Sequence, residues 1–391
     1  MRYWFSMLAS GFICLTIYKP AVAQQNPFQV AGKVFIDRAG RLNYLAPLRA
    51  LAINQPSFDS DMYSQAVATY NSFVGKLSPT IPLRSATRYD LTEVGPLLIA
   101  RARATNIVLI NEAHDQPAHR VYCRKLLKQL APLGYNIFTV EALYPTEKAI
   151  NKRKFPLSTS GFYSREPNMA KLLRAACESG FRVFSHEVTT AQNKDFSDSR
   201  QDVNYRDSMQ AVNILAMLRK NPKAKIVALV GYDHVLEKQR NGLKRTATYL
   251  RELAHLDPFT IDQTEAYLPA GHPLATKPMA LVAHDGTLAT IGDRHGYVDM
   301  QIMHPAMTLV RGRPSWLYAG PRQKPFTALI PPTWVGKACL VQLYDQNEYQ
   351  QYGEKAIPLD QYFIEKRQHQ VTLFGFMAGR AVLVKYRSCE P

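Results

Sequence analysis

Short apolar runs alternate with amphipathic stretches through the middle of the chain. The runs Asn106-Ile107-Val108-Leu109-Ile110, Asn136-Ile137-Phe138-Thr139-Val140, Phe181-Arg182-Val183-Phe184-Ser185 and residues 225–230 have strand length and are bounded by polar residues. Between them, residues 116–130, 169–179, 202–219 and 240–255 repeat apolar positions at helical spacing. A helix over 91–104 opens the series, and Phe259-Thr260-Ile261 and Met279-Ala280-Leu281-Val282 close it as strands. Such alternation predicts an α/β unit over residues 91–300, a mainly parallel sheet flanked by helices.

The flanking regions read differently. Residues 24–90 form an N-terminal extension: irregular structure over 24–57 with short extended pieces such as Val34-Phe35-Ile36, a helix over 59–74, then a Pro-containing loop to Arg84. Beyond Gly296 the helical period disappears. Strands are predicted at 297–302, 338–344, 371–376 and 381–386, with Met377-Ala378-Gly379-Arg380 turning the last two into a hairpin. Residues 301–391 are therefore expected to be β-rich.

The first 23 residues have the form of a signal peptide. Arg2 precedes an apolar stretch from Trp4 to Tyr18, and Ala21-Val22-Ala23 supplies the small-x-small cleavage pattern. Lys19 cuts the stretch to a length short for a membrane span, although a retained anchor is the alternative. Gly11-Phe12-Ile13 ahead of Cys14 makes a poor lipobox. No later segment approaches the length of a membrane helix, so the expectation is an exported chain, periplasmic or secreted.

Composition narrows the classes. With 46% hydrophobic and 20% charged residues over 391 positions, disorder, coiled coil and a disulfide-dense mini-protein are excluded. The net charge of +17 comes from scattered Lys and Arg with no aromatic-interleaved run, so a solvated surface is expected and a nucleic-acid partner is not. Cys123, Cys177, Cys339 and Cys389 follow the leader without any CxxC pair, which removes zinc ribbons and thioredoxin chemistry. Cys339 and Cys389 are the natural disulfide partners if one forms.

Chemistry-bearing residues collect where the strands stop. The first strand runs into Asn111-Glu112-Ala113-His114-Asp115, the second into Glu141, the third into His186-Glu187 and the fourth into Gly231-Tyr232-Asp233-His234. Ligands of open α/β sheets bind beyond the carboxyl ends of the strands. Singly, each residue has an ordinary structural role available, a capping Glu or a satisfied buried His. Together, Glu112, His114, Glu141 and His234 make a candidate catalytic set. Glu187 and Asp233 are candidate substrate contacts, while His186 and His119 stay open.

Two chemistries suit these groups. Carboxylates can orient an imidazole that takes a proton from water. Alternatively, Glu112, His114, Glu141 and His234 could share a divalent metal ion whose bound water attacks. Asp115 opens a helix with Pro117 in its first turn, where backbone N–H groups could face developing negative charge. No Gly-x-Ser-x-Gly elbow, Walker loop or Gly-x-Gly-x-x-Gly turn is present, and His186-Glu187-Val188-Thr189-Thr190 lacks the second His of a zincin.

The segment from Val108 to His119 resembles the strand–Gly-Glu-x-His–helix motif of the erythromycin esterase-like superfamily, which includes the ChaN, TraB and Tiki groups. Glu141 resembles that family's next acidic residue, Gly231-Tyr232-Asp233-His234 its second Gly-x-x-His motif, and Tyr205-Arg206-Asp207-Ser208-Met209 its Arg-containing helix. The likeness spans roughly residues 91–265, and Asn111 departs from it by standing where the family has Gly. The resemblance implies a hydrolase of an ester or amide bond, with a small-molecule or peptide substrate and Arg206 as a substrate contact. Its ChaN branch implies instead a haem- or metal-binding envelope protein, with Tyr232 and Tyr205 as possible haem ligands. Fold alone does not choose between them.

Overall fold

The computed structural model describes residues 25–37, 40–77, 80, 89–269, 271–320, 323–365, 368–376 and 380–388. The leader, most of the loop to Arg84, most of the turn at 377–380 and Cys389 lie outside them.

The central sheet is built from β1 (Asp90–Glu93), β2 (Ile107–Glu112), β3 (Tyr135–Val140), β4 (Arg182–Ser185), β5 (Lys225–Gly231), β6 (Phe259–Asp262), β7 (Tyr267–Leu268), β8 (Met279–Val282) and β9 (Met300–Pro305). Its order is β1-β8-β9-β6-β2-β5-β3-β4, with β7 added beside β9. The run from β9 to β4 is parallel throughout, whereas β1 and β8 join it antiparallel. The fold is thus the expected α/β class: a mainly parallel sheet flanked by helices, with a β-rich C-terminal region. The sheet takes in β9 and so runs past residue 300.

Strand periodicity divides the core. Val108, Ile110, Phe138, Val140, Val227 and Leu229 pack on one face under the helices Val94–Arg103, Pro117–Leu130 and Pro167–Glu178. Ile107, Leu109, Ile137, Ile226, Ala228 and Val230 face the opposite way, under Ser199–Lys220 and Thr246–Ala254. Alternate residues of one strand therefore serve two helical layers, which is why these runs are apolar at every position.

Several elements differ from the pattern-based reading. Val34 and Phe35 end a helix, Pro27–Phe35, instead of forming an extended piece. Asn26 caps it by accepting from the Phe28 and Gln29 N–H groups, and buried Pro27, Ala31 and Phe35 form its inner face. A second helix, Ala46–Asn54, also occupies the stretch read as irregular. The expected 91–104 helix loses its first turn to β1, which the antiparallel ladder with β8 recruits. The last helix of the α/β unit starts at Thr246, not 240, because Asn241 and Gly242 adopt positive φ in a turn.

The C-terminal strands are β10 (Leu309–Val310), β11 (Arg313–Pro314), β12 (Gln323–Leu329), β13 (Cys339–Asp345), β14 (Asp360–Ile364), β15 (Gln370–Phe376) and β16 (Val382–Ser388). The expected terminal hairpin does not form. β15 pairs with β12, while β16 pairs with β13 in a separate sheet. The β13–β16 register sets Cys339 opposite Ser388.

This β-rich region is fastened to the α/β body by a buried ion pair. Arg174 of the Pro167–Glu178 helix binds the Glu348 carboxylate through Nε at 2.9 Å and Nη2 at 2.5 Å, and also donates to the Ile357 carbonyl. The helices Pro27–Phe35, Ala46–Asn54 and Ser60–Phe73 bury an aromatic cluster of Phe35, Tyr70 and Phe73 that extends to Phe162 and Leu340.

Candidate active site

Register aligns the strand ends. Glu112 of β2 stands opposite Gly231 of β5, while Val140 of β3 stands beside Leu229 of β5 and Ser185 of β4. Glu141 and Glu187 therefore emerge at the same edge as Glu112 and the β5 turn carrying His234.

Glu112 is buried and engaged on both oxygens. Arg120, one turn into the following helix, donates to Oε2 from Nε at 2.7 Å and to Oε1 from Nη2 at 3.0 Å. Its Nη1 reaches the Glu166 carboxylate at 2.9 Å, and Nη2 also donates to the His114 carbonyl. Burial pushes the Glu112 carboxyl upward, but the Arg120 charge and the His114 and Arg120 hydrogen bonds hold it below its ordinary range. Glu112 is thus ionised at neutral pH and can only accept. The His114 Nδ1, 3.2 Å from Glu112 Oε1, must then be the donor, which leaves the lone pair on Nε2.

His114 is held by its neighbours' rings. Tyr163 stacks on it with centroids 4.0 Å apart, and Tyr232 meets it edge-on at 5.0 Å. Its far edge lies against Gly231, where a Cβ would come within 2.8 Å of His114 Cε1, 2.9 Å of Nε2 and 3.2 Å of Glu141 Oε2. Only a residue without a side chain permits that approach. Gly231→Ala is expected to lower turnover at least tenfold by displacing His114, with about 1–3 kcal/mol of overpacking cost in urea unfolding. Unchanged kinetics would show that the close contact does not matter.

Glu141 occupies the centre of the site. Its Oε1 accepts from Arg206 Nη2 at 2.6 Å, Oε2 accepts from the Gly231 N–H at 2.8 Å, and His234 Nε2 lies 3.9 Å from Oε2. Burial opposes its charge, yet His234, Arg206 and His114 hold its carboxyl far below the ordinary range. Arg206 also pairs with Glu187, and its Nη1 approaches His234 Nε2 at 3.5 Å.

His234 has its own carboxylate. Its Nδ1 is 2.5 Å from Asp207 Oδ1, and Asp207 is itself fixed by the Thr246 N–H and hydroxyl. Burial alone would lower the imidazole pKa, but Asp207 and Glu141 raise it above the ordinary value. Asp207 is lowered in turn: burial is outweighed by His234 and Arg245.

The pair makes stability depend on pH from two sides. Asp207 contributes fully above about pH 3.9, and that contribution is lost as pH falls through its lower folded value. His234 contributes fully below about pH 6.5 and loses it as pH rises through its higher folded value. Maximum stabilisation falls between roughly pH 4 and 6.5. Asp207→Asn should move the His234 titration downward, read from its imidazole proton resonance; an unshifted titration would refute the coupling.

The other expected residues are placed as follows. Asp233 is bound by Arg294 at 2.6 Å and approached by Arg245 at 3.6 Å, in a network with Asp262. His119 is fully buried, accepts the Ala113 N–H at Nδ1 and contacts the Tyr267 hydroxyl at 2.8 Å, so it holds the loop from inside. His186 is buried against Thr139, and burial pulls it down to about 3. Asn111 bonds the Tyr232 carbonyl, the Asp262 carboxylate and the Gln263 N–H, tying β2 to the turns after β5 and β6. Sequence reasoning missed Arg120, Tyr163 and Glu166 as parts of the site. Arg120 sits eight residues after Glu112 on a helix face with apolar neighbours, and nothing local marks it as a partner.

A shared divalent ion does not fit these groups. Both Glu112 oxygens are committed to Arg120, the His234 Nδ1 is committed to Asp207, and the Arg206 cation stands 3.5 Å from the remaining His234 nitrogen. Among the described residues no cluster of three or more His, Cys, Asp or Glu has metal-binding geometry.

The chain matches no protein-family profile and no curated protein. Solved structures similar to it include the type III effector HopBA1, at 11% identity over 57% of this chain and all of that one, with a TM-score of 0.35. ChaN of Campylobacter jejuni, described with cofacial heme binding, is similar at 10% identity over 56% of this chain and 98% of that one, with a TM-score of 0.33. RRSP, a MARTX toxin effector domain from Vibrio vulnificus CMCP6, is similar at 16% identity over 53% of this chain, with a TM-score of 0.33. This chain spans less than half of that toxin domain and of another bacterial toxin structure it resembles. These likenesses are too low to carry a family or a function.

Proposed function

We propose that the chain is a hydrolase of an ester or amide bond, with His114 as general base and His234 as general acid. The observation that carries this reading is a pair of imidazoles at the sheet edge, each backed by its own carboxylate and each close enough to Glu141 to lower its carboxyl. His114 presents an Nε2 lone pair to take the proton of an attacking water. His234, whose charged form Asp207 and Glu141 favour, supplies an Nε2–H to the leaving group in this reading. Arg206 adds a fixed positive charge where an oxyanion would develop. The carboxylates orient and do not react. Erythromycin esterase-like enzymes are the nearest frame for such chemistry, through the motifs from Val108 to His234.

The haem alternative gains nothing from this geometry. The Tyr205 hydroxyl donates to the Gln192 carbonyl, and the Tyr232 hydroxyl accepts the backbone N–H of His114, in a site walled by Arg206, Glu141 and Glu187. A screen of esters, lactones and peptides with and without chelator, beside a haem titration, tests the reading. Chelator-insensitive hydrolysis with a bell-shaped kcat/KM profile is expected, its alkaline limb above about pH 6.5 because His234 is raised. Activity lost to chelator and restored by a divalent ion would overturn the metal-free mechanism. Micromolar haem binding without hydrolysis would replace the proposal.

A further inference from the structure

A groove leaves the candidate active site along the edge of the central sheet. β4 is the end strand there. Between it, the Ser199–Lys220 helix and the segment 145–151 lies a cavity of about 420 Å³, a size that suits a small-molecule site. Ile137 and Phe184 from the sheet and Ala216 and Met217 from the helix give it an apolar floor. One wall is Glu187, which shares Arg206 with Glu141. The groove therefore begins two ion pairs away from the carboxylate at the centre of the site. It follows β4 back to Arg182, about 10 Å from Ser185 at roughly 3.3 Å per residue.

Most polar groups of the lining are already engaged. Glu147 accepts from Arg153 Nη2 at 2.7 Å, from the Ala149 N–H and from the Ser160 hydroxyl. Glu187 accepts from Arg206 and from the Val188 N–H. Asn213 donates to the His186 and Glu187 carbonyls. Lys148, Arg182 and Lys220 remain. All three are exposed, and among the described residues none is joined to a carboxylate. Because each Glu of the lining has its own Arg, these three cations leave the groove with a positive surplus.

The sheet edge itself is closed to a peptide. Asn151 donates to the Val183 carbonyl and accepts the Val183 N–H, both at 2.7 Å. Its amide thus takes the outward backbone groups in the middle of β4, where an added strand would have to pair.

We infer that this groove holds the uncleaved arm of the substrate, an apolar chain ending in a carboxylate and not a peptide strand. The inference rests on the hydrolase reading: the scissile bond lies at His114 and His234, the chain lies over Phe184 and Met217, and the carboxylate meets Arg182 and Lys220. Those two share one end of the groove, since the helix finishes at Lys220 where the chain turns back to begin β5.

Two esters that differ only in the terminal carboxylate test this on the full chain, mono-p-nitrophenyl sebacate and p-nitrophenyl decanoate. kcat/KM should favour the charged ester by about tenfold or more. In the double variant Arg182→Gln/Lys220→Gln the ratio should fall close to one; both positions are exposed, so folding is not at stake. Calorimetric titration with decanoate, which has no bond to cleave, reads the groove apart from catalysis. It should bind the wild type and weaken by about tenfold or more in the double variant. Equal kcat/KM for the two esters, a preference that survives the double variant, or decanoate that fails to bind or binds both proteins alike would each overturn the inference. Decanoate binding that needs Arg182 and Lys220, with neither ester cleaved, would uphold the ligand class of the groove and remove the hydrolase reading.

Discussion

Turnover should fall by about 10²–10⁴-fold in both His114→Ala and His234→Ala, the usual loss on removing a positioned acid or base. The two variants should differ in stability. His114 is partly exposed, and Glu112 keeps Arg120 when it is removed, so its unfolding midpoint should stay near that of the wild type. His234→Ala removes a charged hydrogen bond from buried Asp207, worth roughly 1.5–3 kcal/mol. Kinetics and urea unfolding on the same samples separate chemistry from folding. Full activity of either variant on a substrate that the wild type cleaves would remove that residue from the mechanism.

Arg120→Leu should be the more damaging change to the fold. Its guanidinium is fully buried between Glu112 and Glu166, so the substitution strands two carboxylates in the interior. Removing one partner of a buried ion pair typically costs about 3–5 kcal/mol. Here Glu166 retains its helix-capping bonds to Asn168 and Met169, whereas Glu112 keeps only His114. Glu112 should therefore take up a proton, and the His114 tautomer should lose its anchor. Denaturant unfolding of Arg120→Leu and of the double variant Arg120→Leu/Glu112→Gln checks this: the second change should recover part of the loss. No recovery would mean that the cost lies in packing and not in a stranded charge.

Much of this was legible because strand ends obey a local rule. Continuous apolar runs could only be strands buried on two faces, and their polar termini had to meet at one edge once the strands ran parallel. Glu112, His114, Glu141, Glu187 and His234 are assembled there by register alone. What stayed illegible depends on distant partners. Arg120 reads as an ordinary helix charge until Glu166 is brought to it from 46 residues away. Asp207 reads in the sequence only as a neighbour of Arg206, because its link to His234 depends on how the Ser199–Lys220 helix packs on β5. The helix Pro27–Phe35 was readable in principle: Asn26 followed by Pro27 is a cap signal, masked by the β-branched, aromatic look of Val34-Phe35-Ile36. The separation of β15 from β16 had no local signal, since each strand's partner lies far upstream.

The Arg174–Glu348 ion pair carries a consequence for synthesis. Its partners are separated by 174 residues. At translation rates of roughly 5–20 residues per second, Arg174 leaves the ribosome on the order of 10–35 s before Glu348 does. Through that interval the helix Pro167–Glu178 has no C-terminal layer over Arg174, and the α/β body waits with an unshielded polar seam. A nascent chain stalled before residue 348 should remain protease-sensitive at this helix, and one released after it should not.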